Sequence, residues 1–173
     1  MGKHIHDGLR GKTALVTGAG SGIGAALSKC FGKLGVRVIC VGRTKKTIED
    51  VASSIKNDSG EAIHFVTDAT DPVQMEALSQ EIKKKYGGID FAFLNAGGNI
   101  QQQSIENSDL SEWKEAVDLN MMTFFLGVRI SAPLMRINGG GRIVLTGSAM
   151  AHYPSASNSS YGVGKSAARM IAN

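Results

Sequence analysis

The feature that most constrains this chain is a strict alternation. Short apolar, β-branched runs at residues 13–17, 36–41, 62–66, 89–94 and 142–146 are separated by helix-patterned segments. Continuous apolar runs of this length predict strands covered on both faces, hence a parallel sheet with helices above and below. Residues 22–34 and 44–57 read as the first two helices, the second with Ile48, Val51, Ala52 and Ile55 at the spacing of one buried stripe. A third opens at Asp71-Pro72, with Asp71 placed to accept a free backbone N–H and Pro72 where its missing donor costs nothing, and runs to Tyr86 before Gly87-Gly88. A longer helix is expected from about residue 108 to about 137, ended by Asn138-Gly139-Gly140-Gly141, with Pro133 kinking or locally breaking it. The last starts near Asn158 and reaches the C-terminus. The βαβ order implies right-handed crossovers and an α/β fold, a three-layer doubly wound parallel sheet of the Rossmann-like kind. Ligands should bind at the carboxyl ends of its strands. With no internal repeat or dividing linker, the chain reads as an N-terminal extension at residues 1–10 and one domain over 11–173.

Composition excludes several classes of function. A chain of 173 residues, 42% hydrophobic and 20% charged, is long enough for a real core and is not expected to be disordered. No apolar run is long enough to cross a bilayer and the first residues lack the apolar core of a secretory signal, so a cytoplasmic protein is expected. The net charge of +4 is spread along the chain, with Lys83-Lys84-Lys85 following Glu76 and Glu81 near a helix end, which argues against nucleic-acid binding. Cys30 and Cys40 have no metal-ligand or redox spacing and are expected as buried free thiols, with no metal site.

Two motifs carry chemistry. Gly18, Gly22 and Gly24 follow the first strand and open the first helix, where absent side chains let backbone N–H groups approach a pyrophosphate. Tyr161 and Lys165, four apart on the last helix, share a face, so that an ammonium stands beside a phenol and favours its ionised form.

In combination these residues resemble the short-chain dehydrogenase/reductase family. The resemblance rests on Thr-Gly-x-x-x-Gly-Ile-Gly over residues 17–24, Asn95-Ala96-Gly97 after the fourth strand, and Tyr161-x-x-x-Lys165, and it covers almost the whole chain. One departure is Leu94, where the family usually has another asparagine; it should sit on the strand without chemical consequence. The family pattern implies Asn120, Ser148, Tyr161 and Lys165 as the catalytic set, with Tyr161 as general acid/base, Ser148 holding the substrate oxygen, and Asn120 positioning a water that passes protons through Lys165. It further implies that Gly18, Ser21, Gly22, Ile23, Gly24, Asp68, Ala69, Asn95, Ala96 and Gly97, with Tyr161 and Lys165, contact the cofactor, Asp68 at the adenine.

Arg43 selects among cofactors. At the end of the second strand a carboxylate would bind the adenosine 2'-hydroxyl, whereas Val41-Gly42-Arg43-Thr44-Lys45-Lys46 offers cations, which predicts NADP(H) over NAD(H). The expected activity is interconversion of a small-molecule carbonyl and a secondary alcohol by a homo-oligomer, dimer or tetramer. The family continues beyond the position of Asn173 with two more strands and a loop over the substrate, so those strands are expected to be missing from the sheet. The alternative is a truncated nucleotide-binding or interaction module without turnover.

Overall fold

The computed structural model describes residues 8–100 and 102–172, so the start of the N-terminal extension, Gln101 and Asn173 lie outside the described residues. The chain runs β1 (Thr13–Thr17), α1 (Gly22–Lys33), β2 (Arg37–Gly42), α2 (Lys45–Asn57), β3 (Ala62–Val66), α3 (Pro72–Tyr86), β4 (Phe91–Leu94), α4 (Leu110–Ile137), β5 (Arg142–Leu145) and α5 (Ser159–Ile171). All five strands are parallel, in the order β3-β2-β1-β4-β5. Strand order therefore reverses between β1 and β4, which opens a crevice at their carboxyl ends. Register sets that crevice level, because Thr17 pairs with both Val41 and Leu94.

Alternation along each strand explains the apolar runs. Leu15, Ile39 and Val41 face a core closed by Met75, Leu78 and Ile82 of α3 and Phe124, Ile130 and Leu134 of α4. Ala14, Val16, Val38 and Cys40 face the opposite side, under Phe31 of α1 and Val51 and Ile55 of α2. The central strands β1 and β2 thus bury two apolar faces, the doubly wound arrangement expected. β5 is covered less: Ile143 and Leu145 pack on the α3–α4 core, while Val144 is 43% exposed.

Asp71 caps α3 as expected, accepting from the N–H groups of Val73 and Gln74. One expectation is narrowed and one fails. Pro133 does not break α4, which continues to Ile137. The side chains flanking it, Ile130, Leu134 and Met135, are all buried, and that burial offsets the lost hydrogen bond and ring clash. The Leu134 carbonyl meanwhile accepts from the Ile89 N–H at 3.4 Å. Cys30 is exposed, because the buried stripe of α1 runs through Gly24, Ser28, Phe31 and Gly32 and leaves it on the solvent face. Cys40 is buried as expected, and burial pushes its thiol up to about 11 against the opposing hydrogen bond with Ser28.

Candidate active site

The glycine-rich turn between β1 and α1 is shaped by what its residues lack. Gly18 and Gly22 have φ of 65° and 49°, the left-handed region that side chains disfavour. A β-carbon at Gly24 would lie 2.2 Å from the Gly18 carbonyl oxygen, so the helix can start this close to the strand only with glycine there. No side chain caps α1: Ser21 sits at the N-cap in extended conformation without a capping hydrogen bond. The first N–H groups of α1 therefore remain available to an anion.

The crevice beyond this turn is a cleft of about 280 Å³ lined by Gly18, Ser21, Gly22 and Ile23, by Arg43, by Asp68 and Ala69, and by Asn95, Ala96 and Gly97. Those ten residues were all expected at the cofactor, whereas Val41, Gly42, Thr67, Leu119 and Thr123, which complete the lining, were not. Gly24 supports the turn from behind, and Tyr161 and Lys165 belong to the adjoining α5 rather than to this lining. Arg43 stands at the rim, 64% exposed, with Nη1 4.0 Å from Asp68 Oδ2. The other Asp68 oxygen accepts from the Thr70 N–H and hydroxyl, which fixes the carboxylate. Lys45 and Lys46 turn to Glu49 and Asp50 on their own helix, leaving Arg43 as the cation lining the cleft. A glycine cradle, uncapped amides, a carboxylate and a rim guanidinium together fit a dinucleotide. Among the described residues no cluster of acidic, histidine or cysteine side chains is placed to hold a metal, and no helix is long and apolar enough to cross a membrane.

The floor of the cleft is the turn Asn95-Ala96-Gly97. Thr17 Oγ1 accepts from the N–H groups of Asn95 (3.0 Å) and Ala96 (3.1 Å). The Thr123 hydroxyl shares its proton between the Leu119 carbonyl (2.9 Å) and the Ala96 carbonyl (3.1 Å), and Thr146 donates to Asn95 Oδ1 at 3.1 Å. Behind Gly97 two expected catalytic residues converge: a β-carbon there would stand 2.7 Å from Asn120 Oδ1 and 3.0 Å from Lys165 Nζ. α5 reaches α4 this closely because Gly164 abuts Asn120, where a β-carbon would lie 2.6 Å from that of the asparagine.

Asn120 is fully buried and engaged with backbone. Its Nδ2 donates to the carbonyls of Gly98 (2.8 Å) and Ala116 (2.9 Å), and its Oδ1 accepts from the Gly98 N–H (3.1 Å). Both amide protons are spent, so only a lone pair of Oδ1 is left to hold a relay water. Lys165 donates to the Thr146 carbonyl at 2.9 Å, and its Nζ lies 5.9 Å from the Tyr161 ring centre. Burial pulls its ammonium down to about 8. Ser148 accepts from the Met150 N–H at 3.2 Å, which leaves its own proton free to donate.

Three residues with a part in this geometry went unassigned in the sequence. Thr123 and Phe124 lie three and four positions after Asn120 and so share its helix face, a spacing that was readable. Thr146 gave no such sign, because its partners come together only in the folded sheet.

The family model for short chain dehydrogenases matches residues 12–173. An uncharacterised oxidoreductase of Staphylococcus haemolyticus is 32% identical over 95% of this chain, which spans 70% of that protein. A metagenomic short-chain oxidoreductase solved with NADP is 28% identical, with a TM-score of 0.89 over 94% of this chain and 74% of the other. An NAD+-bound xylitol dehydrogenase is 25% identical, with a TM-score of 0.88 over 92% of this chain and 61% of the other. The chain thus spans from under two thirds to about three quarters of these proteins' lengths, with its motifs in the same fold, and it belongs to the short-chain dehydrogenase family.

Proposed function

We propose that this chain carries the nucleotide-binding and proton-handling parts of an NADP(H)-dependent oxidoreductase that interconverts a carbonyl and a secondary alcohol. The observation that carries the reading is the convergence of Lys165 and Asn120 behind Gly97, beside Tyr161 and against the floor of the dinucleotide cleft. A bound nicotinamide supplies or accepts the hydride. Tyr161 gives a proton to the nascent alkoxide oxygen in reduction and takes one from the alcohol in oxidation. A cation beside a phenol favours the phenolate, which is the part of Lys165 in both directions. Ser148 donates its free hydroxyl proton to the substrate oxygen. Asn120 holds the loop after β4 through both polar groups of Gly98, so that the Gly97 backbone stays against Lys165.

Arg43 supports NADP(H) over NAD(H), since a guanidinium at the rim pairs with a 2'-phosphate and Asp68 steadies it. Exposed apolar side chains on α4 and α5, namely Phe125, Val163 and Met170, support self-association of the complete enzyme.

The test is a titration of the 173-residue chain with NADPH and NADH, followed by turnover on a panel of carbonyl compounds. Tighter binding of NADPH, with the preference erased by Arg43→Asp and turnover erased by Tyr161→Phe at unchanged binding, supports the reading. Unchanged NADPH affinity in Arg43→Asp refutes the cofactor assignment. Turnover that survives Tyr161→Phe refutes the proton donor, and binding without turnover in the parent chain leaves a nucleotide-binding module.

A further inference from the structure

Lys165 is the one buried charged side chain among the described residues, 3% exposed, and no carboxylate there lies within salt-bridge distance of it. Its hydrogen bond goes to a single neutral carbonyl, that of Thr146. A desolvated ammonium with one such bond needs another source of stabilisation to stay charged. Phe124 stands opposite. Its ring is fully buried, and Nζ lies 4.7 Å from the ring centre, inside the range where an aromatic quadrupole attracts a cation.

We propose that the ring face of Phe124 acts as the counter-charge of Lys165, making Phe124 a positioning residue that keeps the ammonium charged and directed at Tyr161. This rests on the reading of Lys165 as the cation that supports Tyr161. The choice of an aromatic ring over a carboxylate has a consequence for that role. A carboxylate would hold the lysine as firmly but would cancel its field at the neighbouring phenol. A ring face attracts the cation without adding a net charge, so the field at Tyr161 is kept. The groups facing Nζ are Phe124 and Asn120 from α4, Gly97 from the turn after β4, the Thr146 carbonyl after β5, and Tyr161 on α5 itself. Of these only Tyr161 carries an ionisable side chain.

The experiment replaces Phe124 in the full chain with mono-, di- and trifluorinated phenylalanine, which drain the ring face stepwise while nearly conserving its shape. Lys165 is then titrated by side-chain NMR of isotope-labelled lysine. The expected result is a midpoint that falls with each fluorine, by about one unit for the trifluoro ring, a roughly tenfold loss of ammonium at fixed pH. Phe124→Leu, checked for folding by its amide spectrum, should lower the midpoint as well. A midpoint that stays fixed along the fluorine series, or in a folded Phe124→Leu chain, would mean that Phe124 only fills the core, and would overturn the proposal. Neither measurement depends on turnover, so failure of the oxidoreductase reading is read separately from nucleotide binding and the carbonyl panel.

Discussion

Replacing Lys165 with methionine should remove a rise in stability with pH that the wild-type chain shows on the alkaline side of neutrality. Burial holds the folded ammonium at about 8 against an ordinary 10.5, so between those values the unfolded chain binds the extra proton. Stability therefore increases as pH rises through this window. Two-state linkage gives a gain of about 1.3 kcal/mol between pH 7 and pH 9, and about 3 kcal/mol once both forms are neutral. Cys40 works the other way, since its folded thiol is pushed from 9.0 to about 11 and the unfolded chain loses that proton first. At pH 9 it subtracts about 0.4 kcal/mol, leaving about 0.9 kcal/mol of net gain.

Urea unfolding at pH 7 and pH 9 resolves this. With an m-value of about 2 kcal/mol/M, the midpoint of a Cys40→Ala chain should rise by about 0.6 M and that of wild type by about 0.4 M. Lys165→Met should instead fall by about 0.2 M, the cysteine contribution alone. Leaving the Thr146 carbonyl without its donor shifts the variant by an amount that does not vary with pH, so the comparison lies in the slopes. Parallel changes in wild type and Lys165→Met would refute the placement of a charged lysine in this interior.

Gly24→Ala forces a β-carbon to within 2.2 Å of a backbone oxygen, and should cost about 3 kcal/mol by urea unfolding together with loss of saturable NADPH binding. Asn120→Ala leaves the Gly98 N–H and carbonyl without partners, while the Ala116 carbonyl keeps its helical hydrogen bond, and about 2 kcal/mol of stability should go with them. Asn120→Asp can still accept from the Gly98 N–H, but as an ionised acid it donates to neither carbonyl and should recover only part of the loss.

Much of this was legible because the relevant information is local. The strands read as such because their apolar runs place residues on both faces of the sheet, as Leu15 and Val16 do, and the α3 cap read as such because Asp71 needs only its own next turn. The readings that failed are those where tertiary packing decides. Pro133 breaks a helix by local rules, and the buried residues around it overrule them. Cys30 lies in an apolar segment, but helical phase puts it in solvent. Asn120 could be found by its motif, but its saturation by Gly98 and Ala116 depends on a loop that returns from β4. Phe124 is core, and that its ring faces an ammonium depends on a lysine from a separate helix.

The turn Asn95-Ala96-Gly97 has no regular secondary structure, yet Thr17 of β1, Asn120 and Thr123 of α4 and Thr146 after β5 all tie it or the glycine that follows it. Energetically it belongs to the interior although it is drawn as a loop. Inserting or deleting one residue between Leu94 and Gly98 would misalign three elements at once, so this stretch has no freedom to vary in length. What the cleft receives can be changed without disturbing these ties through the segments that leave the turn, after Gly98 and after Ser148.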